Sequence, residues 1–144
     1  MFDLISKDVD DIVDAIEKWR PPPQKIEKDY EDALYAYLHS RFPGSVFHQQ
    51  YSLAKTRADI FVDFGQDPMG GTKVAIEVKA HLTSRDEFHR LFGQMFEYTA
   101  VWEADALLVL CGNCEPAMVK LARKFVDRLN GSYFVRKART VVVP

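Results

Sequence analysis

Two charged side chains, Glu77 and Lys79, interrupt an apolar segment near the middle of the chain. They stand two residues apart, and in a β-strand this spacing puts both on one face while Val, Ile and Ala side chains take the other. The surrounding run, residues 74–80, is apolar enough to indicate a central strand. Charges on such a strand cost free energy unless they have partners or a chemical role. The pair is therefore the first candidate for a functional site.

Asp59 stands in a comparable place, between two apolar residues of the preceding predicted strand. Residues 65–72 contain Gly, Asp and Pro and predict a turn, so an antiparallel hairpin would bring Asp59 beside Glu77. Two converging carboxylates supply the oxygen ligands that a hard divalent cation prefers, with positions left for water and phosphate. The ammonium of Lys79 would orient an attacking water and offset charge that develops on the phosphate.

The rest of the sequence predicts the elements that hold these residues. Helices are indicated at about residues 24–41, from a cap at Thr83 and Ser84 to about residue 101, and at 115–129. Strands are indicated at 46–53, 56–64, 73–80, 105–110 and within 133–143. Helices before and after a strand meander, followed by a late β-α-β segment, predict an α/β domain with a mixed sheet of four or five strands flanked by helices.

An extra amphipathic helix is predicted ahead of this domain. Its apolar stripe alternates three- and four-residue steps and consists of Phe2, Ile5, Val9, Ile12, Ile16 and Trp19. Three prolines at 21–23 end it, which divides the chain into an N-terminal helix, residues 1–20, and a domain of residues 24–144. The stripe is too apolar to stay exposed. It packs either on its own domain or on a second copy in a homodimer.

The segments Arg57-Ala58-Asp59 and Glu77-Val78-Lys79 resemble the Asp…Glu-x-Lys signature of the PD-(D/E)XK nuclease superfamily. The order helix, hairpin, helix, strand also matches the restriction-endonuclease-like core, over about residues 24–110, with Ala58 in place of the proline that names the motif. The resemblance implies a Mg²⁺-dependent endonuclease that hydrolyses phosphodiester bonds in DNA, with Mn²⁺ able to substitute. It implies that Asp59, Glu77 and the carbonyl of Val78 bind the metal, and that Lys79 positions and activates the water.

The resemblance implies supporting residues as well. Many members place an acid from the helix before the hairpin in the metal site. Glu27 and Glu31 both qualify, one helical turn apart, and the spacing to the leucines that follow favours Glu27. Many members also carry a Gln followed four residues later by a Tyr, which Gln94 and Tyr98 match. Gln94 would support the lysine or the phosphate, while Tyr98 is equally consistent with a half-buried core aromatic.

Charge is divided unevenly along the chain, although the net charge is only −2. Residues 1–40 hold ten acids and five bases, whereas residues 41–144 hold eleven acids and fourteen bases. The helix predicted at 115–129 carries four bases on neighbouring positions: Lys120, Arg123, Lys124 and Arg128. They are candidates to follow a DNA backbone, although a solvated helix face explains them equally well.

Two other classes of function stay open. Cys111 and Cys114 lie between a predicted strand and a helix, as a redox pair does, but one CxxC supplies only half of a zinc site and the rest of a thioredoxin-like pattern is missing. A nuclease fold that binds nucleic acid or protein without cutting is the main alternative to the enzyme. No apolar run is long enough to span a membrane, so we expect a cytoplasmic protein without membrane contact.

Overall fold

The computed structural model describes residues 6–131 and 136–144. In chain order its elements are helix α1 (Val9–Glu17), helix α2 (Glu27–Arg41), strand β1 (Phe47–Leu53), strand β2 (Thr56–Asp63), a 3₁₀ turn (Phe64–Gln66), strand β3 (Lys73–Ala80), helix α3 (Arg85–Ala100), strand β4 (Asp105–Cys111), helix α4 (Pro116–Asn130) and strand β5 (Ala138–Val142). The five strands form one sheet in the order β1-β2-β3-β4-β5. Pairing is antiparallel from β1 to β3 and parallel from β3 to β5. The predicted α/β class with a mixed sheet is confirmed.

Helices cover both faces of the sheet, with α1 and α2 on one side and α3 and α4 on the other. As predicted, β3 lies at the centre of the sheet, and Val74, Ile76, Val78 and Ala80 face the α1/α2 side. All seven residues of β4 are buried, because a strand covered on both faces has no solvated side. Glu77 is therefore a carboxyl group in the interior of the molecule, only 2% exposed.

Helix α1 begins at Val9, later than the apolar stripe predicted, because Asp8 caps it in a capping box with Asp11. Phe2 and Ile5 lie outside the described residues. The other members of the stripe, Val9, Ile12, Ile16 and Trp19, are buried in one core with α2 and the sheet. These four residues pack on their own domain, so their side chains are not available as a seam between two copies.

Asp105 ties α1 to the sheet. Its buried carboxylate accepts hydrogen bonds from the backbone N–H groups of Val9 (3.4 Å) and Lys137 (3.0 Å) and from the hydroxyl of Thr72. A buried carboxylate with three donors is satisfied, so Asp105 has a structural role. It also joins the N-terminal helix to the segment 24–144, so the two predicted regions share one core.

The remaining elements differ from the predictions mainly at their ends. Helix α2 begins at Glu27 instead of residue 24, and Ser84 is the cap of α3, where its hydroxyl accepts from the N–H groups of Asp86 and Glu87. Strand β5 covers only part of the predicted 133–143, and residues 132–135 lie outside the described residues. None of the described helices is long and apolar enough to cross a membrane.

Candidate active site

Strands β2 and β3 separate in the middle of the hairpin. Their pairing runs from Asp63 opposite Lys73 to Ile60 opposite Ile76 and ends there. Beyond that point the N–H of Val78 donates to Oδ2 of Asp59 at 2.8 Å instead of to a backbone carbonyl of β2. One carboxylate thus replaces a missing acceptor of the sheet, because a buried N–H needs a partner.

Asp59 and Glu77 meet at this opening, as the hairpin predicted. The N–H of Asp59 lies 3.3 Å from Oε1 of Glu77, and the hydroxyl of Tyr98 donates to the same oxygen at 2.7 Å. The Tyr98 oxygen also lies 2.8 Å from the carbonyl of Arg57. Tyr98 is fully buried on α3, so it holds the Glu77 carboxyl group from the α3 side of the sheet.

The two carboxyl groups are costly to ionise together. Burial raises the pKa of Glu77 to about 8, and the charge of Asp59 contributes in the same direction. Burial likewise raises the pKa of Asp59, although the N–H of Val78 and the charge of Lys79 oppose this shift. Without a cation Glu77 therefore keeps its proton near neutral pH, and a bound cation would favour the ionised form of both carboxyl groups.

The oxygens around the opening suit a hard divalent cation. Oδ1 of Asp59 has only the long contact to Gln50, at 3.3 Å, and among the described residues no hydrogen bond reaches Oε2 of Glu77. The carbonyl of Val78 faces the same gap as its N–H, because both groups of a strand residue project to one side. No three His, Cys, Asp or Glu side chains of the described residues form a metal cluster. A Mg²⁺ ion here would have two carboxylates, one carbonyl and its own waters.

The structure places Glu31 beside Asp59 and puts Glu27, which the sequence favoured, farther along β3. Glu31 is 4% exposed, and Oε1 of Glu31 accepts from Nε2 of Gln50 at 2.8 Å, the same amide nitrogen that contacts Asp59. Glu27 instead accepts from the N–H of Ala80 at 3.0 Å and lies 4.0 Å from Nζ of Lys79. Both acids occupy the same side of α2, but Glu31 lies near the opening, where Gln50 links it to Asp59, and Glu27 lies at the end of β3.

Gln50 is a site residue that sequence reasoning missed. It lies opposite Asp59 in the β1–β2 hairpin, between the pairs Gln49–Ile60 and Tyr51–Ala58, and has φ 52°. Such a left-handed conformation costs free energy in a residue with a side chain and is concentrated at functional sites. The only available signal was its register opposite Asp59, which the sequence does not fix until the hairpin turn is known.

An open cleft of about 640 Å³ lies over the opening. The predicted residues Asp59, Glu77, Lys79 and Gln94 line it, together with three bases that were not predicted, Lys55, Arg57 and Arg90. Two of these bases carried a usable signal: Arg57 precedes Asp59 by two residues, and Arg90 precedes Gln94 by one helical turn. The cleft has Asp59 and Glu77 at its floor, and the three bases outnumber the one further acid that lines it, Glu97. This distribution suits a cation and a phosphate group together.

The predicted bases of α4 do not join this cleft. Lys124 and Arg128 line a separate groove between α3 and α4, and Arg123 lines a third depression near β5. Lys120 is exposed and lines none of these. The four bases therefore do not form one surface, and only Lys124 and Arg128 share a concave site.

The two cysteines have the properties of structural thiols. Cys111 is buried, and burial raises its pKa to about 12. Burial also raises the pKa of Cys114, whose Sγ accepts from the N–H of Leu82 at 3.4 Å and lies 3.3 Å from the carbonyl of Cys111. Because a thiolate is the reactive form, these shifts oppose a redox role.

No protein-family model, curated protein or solved structure matches the chain significantly. Relatives therefore give no information on its family, cofactor or substrate.

Proposed function

We propose that the chain is a Mg²⁺-dependent endonuclease of the PD-(D/E)XK type that hydrolyses phosphodiester bonds in DNA. The observation that carries the proposal is the convergence of Asp59, Glu77 and Lys79 where β2 and β3 separate, in a cleft with a basic rim. A restriction-endonuclease-like fold is part of the proposal. It is supported by a mixed sheet between two helical layers, with the Asp…Glu-x-Lys residues on its central hairpin.

Asp59, Glu77 and the carbonyl of Val78 would hold Mg²⁺, or Mn²⁺ in its place. When bound, the metal supplies a Lewis acid for the phosphate and a water of lowered pKa. Tyr98 is a positioning residue, since its hydroxyl fixes Oε1 of Glu77 at 2.7 Å. Gln50 adjoins Oδ1 of Asp59 and donates to Glu31, so both are supporting polar groups of the proposed site. Glu27 lies near Lys79 instead.

Lys79 is the group suited to act on the water and on the charge that develops at phosphorus. Its side chain is 20% exposed and lines the cleft beside Gln94. An ammonium that is partly removed from water interacts more strongly with phosphate oxygens than a fully solvated one. Gln94 would contact the phosphate or steady Lys79.

The three bases of the rim explain how a nucleic acid would be held. Lys55 and Arg57 lie on the β1–β2 hairpin, and Arg90 lies across the cleft on α3. Bases on both sides of the catalytic groups can contact the phosphates that flank the scissile bond. The proposed DNA substrate therefore enters between the β1–β2 hairpin and α3.

The test is incubation with supercoiled, linear, branched and single-stranded DNA in Mg²⁺ and in Mn²⁺. Wild type should cleave at least one of these substrates, and Asp59→Asn and Glu77→Gln should abolish cleavage while keeping the fold. Calorimetric titration should show weaker Mn²⁺ binding in both variants. Asp127→Asn, an exposed acid of α4 outside the cleft, is the matched control. Wild-type Mn²⁺ affinity in the two cleft variants would exclude the proposed metal site.

A second candidate is a nuclease-fold module that binds nucleic acid or protein without cutting it. One observation favours it: the amide of Gln50 lies between Glu31 and Asp59 and contacts both carboxylates, so a neutral side chain already occupies the side of Asp59 from which a cation would draw a third ligand. This candidate predicts DNA binding with neither Mn²⁺ uptake nor cleavage on any of the four substrates.

A further inference from the structure

A second concave site lies between α3 and α4, on the far side of α3 from the catalytic cleft. It encloses about 270 Å³. Apolar side chains form its floor: Phe88, Phe92, Leu121 and Phe125. Basic side chains and a histidine stand around it: Arg85, His89, Lys124 and Arg128. We call this site the α3–α4 groove.

The aromatic floor is ordered and partly open. The rings of Phe92 and Phe125 stack with centroids 3.8 Å apart and planes at 25°, and Phe88 packs edge-on against Phe92. Phe92 and Phe125 are only partly buried, so each leaves aromatic surface at the groove. Flat aromatic surface beside positive charge is how proteins bind unpaired nucleobases, because every base has a π-face that stacks.

The positive charge around the groove is not neutralised. Within residues 6–131 and 136–144, no salt bridge joins Arg85, Lys124 or Arg128 to an acid. Other bases of the chain are paired, for example Lys137 with Asp8 and Asp10. Unpaired bases that surround one small concave site attract a polyanion.

Helix α3 connects the groove with the cleft. His89 and Phe92 line the groove, while their neighbours Arg90 and Gly93 line the cleft. Gly93 lies in the middle of the helix, where glycine is unfavourable relative to alanine. A Cβ added there would meet nothing within 4 Å, so no packing within the fold requires it. The absence of a side chain leaves the ridge between the two sites low at this point.

We propose that the α3–α4 groove binds a single-stranded nucleic acid segment that leaves the cleft across α3 at Gly93. An unpaired base stacks on the face of Phe125 that Phe92 does not cover, and Arg85, Lys124 and Arg128 contact its flanking phosphates. The inference deepens the proposed function, since the same strand occupies both sites. It also separates the predicted bases of α4 into two that contact the substrate and two, Lys120 and Arg123, that do not.

The first experiment measures the binding of fluorescent oligo(dT) by anisotropy in EDTA, so that cleavage plays no part. Lys124→Gln/Arg128→Gln should weaken binding about tenfold or more and reduce the slope of log K against log salt by about 1.4, roughly 0.7 for each lost phosphate contact. Lys120→Gln/Arg123→Gln removes the same charge from the same helix outside the groove and should weaken binding less than about threefold. Equal losses in the two pairs would overturn the proposal.

The second experiment separates stacking from charge. Phe125→Leu keeps an apolar side chain and removes the ring, and it should weaken oligo(dT) binding about fivefold or more, given the usual worth of a base–aromatic stack. Its circular dichroism and thermal midpoint, compared with wild type, verify the fold. Wild-type affinity in a folded Phe125→Leu variant would overturn the proposal. The proposal would also be overturned if poly-glutamate displaced the fluorescent oligo(dT) as effectively as unlabelled oligo(dT) does, because the groove would then bind acidic peptides.

The two proposals fail in different ways. If oligo(dT) binding depends on the groove residues but no cleavage occurs in Mg²⁺ or Mn²⁺, the proposed nuclease function is overturned and the proposed groove stands. If the protein cleaves DNA in a metal-dependent way but the groove variants bind oligo(dT) normally, the proposed groove is overturned and the proposed nuclease function stands. Light scattering tests whether a second copy of the chain occupies the groove instead. If the protein is a dimer and Lys124→Gln/Arg128→Gln converts it to a monomer, the groove is an interface between copies and the proposal is overturned.

Discussion

The backbone N–H of Val78 donates to Oδ2 of Asp59 at 2.8 Å, so a side chain of β2 completes the hydrogen bonding of β3 at the point where the two strands separate. Asp59 thus has two roles that substitutions can distinguish. Its Oδ2 atom satisfies the sheet. Its Oδ1 atom, which within the described part of the chain has a single 3.3 Å contact, to Gln50, remains for the proposed metal. An asparagine can keep the first role through its amide oxygen, whereas an alanine keeps neither.

We therefore expect Asp59→Asn and Asp59→Ala to be equally inactive but unequally stable. The alanine variant leaves the buried N–H of Val78 without an acceptor, which should cost about 1–3 kcal/mol relative to the asparagine variant. Urea denaturation in EDTA measures the difference, and cleavage of supercoiled DNA in Mg²⁺ measures activity. Equal free energies of unfolding in the two variants would contradict the structural role of Oδ2.

Glu77 should make the stability of the metal-free protein fall as the pH rises. Its pKa is raised to about 8 in the folded protein and lies near 4.5 when the chain is unfolded. The folded state therefore holds the proton more tightly, and the stabilisation is complete below pH 4.5 and is lost as the pH rises through about 8. Glu77→Gln carries no such proton. Its free energy of unfolding should match that of wild type near pH 5 and exceed it by about 2–4 kcal/mol at pH 9.

The measurement is urea denaturation in EDTA at several pH values. Asp59→Asn provides a second arm, because the charge of Asp59 is the next largest cause of the raised pKa of Glu77 after burial. That variant should recover part of the stability that wild type loses above neutral pH. Parallel pH profiles for wild type and Glu77→Gln would mean that the Glu77 carboxyl group titrates normally in the fold.

Lys79→Ala should reduce Mg²⁺-dependent cleavage by about a hundredfold or more, in line with the loss of one preorganised electrostatic group. Its Mn²⁺ affinity should stay the same or rise slightly, since an ammonium is not a ligand and repels a cation. Lys73→Ala, an exposed lysine at the start of the same strand, is the matched control. Normal cleavage by Lys79→Ala would mean that the lysine takes no part in catalysis.

The meeting of Asp59 and Glu77 was predictable because it depends on local pattern. Period-two alternation put each acid on a defined face, and the Gly- and Pro-containing turn between the strands made an antiparallel hairpin the simplest connection. The distances follow from that register once β2 and β3 pair up to Ile60 and Ile76. The sequence pattern does not show that the pairing of β2 and β3 ends at Ile60 and Ile76. This end opens the gap between the strands, where Asp59 becomes the acceptor for the N–H of Val78.

The choice between Glu27 and Glu31 was not predictable in the same way. The two acids lie one turn apart on α2, so helical periodicity gives them the same side. Their surroundings differ through tertiary geometry: Glu31 is buried against Gln49 and Gln50, whereas Glu27 reaches the end of β3 at Ala80. Likewise, nothing in local sequence predicts a left-handed conformation at Gln50.

Replacing the cysteines should leave DNA cleavage within a few-fold of wild type. Alanine suits Cys111, because the thiol is buried in an apolar cluster with a pKa of about 12, and serine suits the half-buried Cys114. In the native protein a thiol reagent at pH 8 should modify Cys111 only when the chain unfolds, and Cys114 earlier. Complete loss of cleavage in a well-folded double variant, or rapid native labelling of Cys111, would restore a chemical role for the pair.

The β1–β2 hairpin turns through a two-residue loop, Ala54 and Lys55, with φ of 51° and 67°. Two left-handed residues define a type I′ turn, for which Asn-Gly is the favoured sequence. Ala and Lys are both strained there, and Lys55 lines the cleft over Asp59 and Glu77. We infer that the strain is retained because it holds Lys55 at the cleft, where its ammonium would contact the proposed DNA substrate.

Ala54→Asn alone should therefore raise the free energy of unfolding by about 0.5–1 kcal/mol and leave activity unchanged, since asparagine tolerates the left-handed region and Lys55 remains. Ala54→Asn/Lys55→Gly should raise stability further, to about 1–2 kcal/mol above wild type, while it weakens DNA binding and reduces the salt dependence of binding by about one phosphate contact. Urea denaturation and anisotropy titrations of duplex and single-stranded DNA in EDTA measure the two effects. The double variant differs from Ala54→Asn only in lacking the side chain of Lys55. If it is more stable than Ala54→Asn but binds DNA equally tightly, Lys55 takes no part in binding.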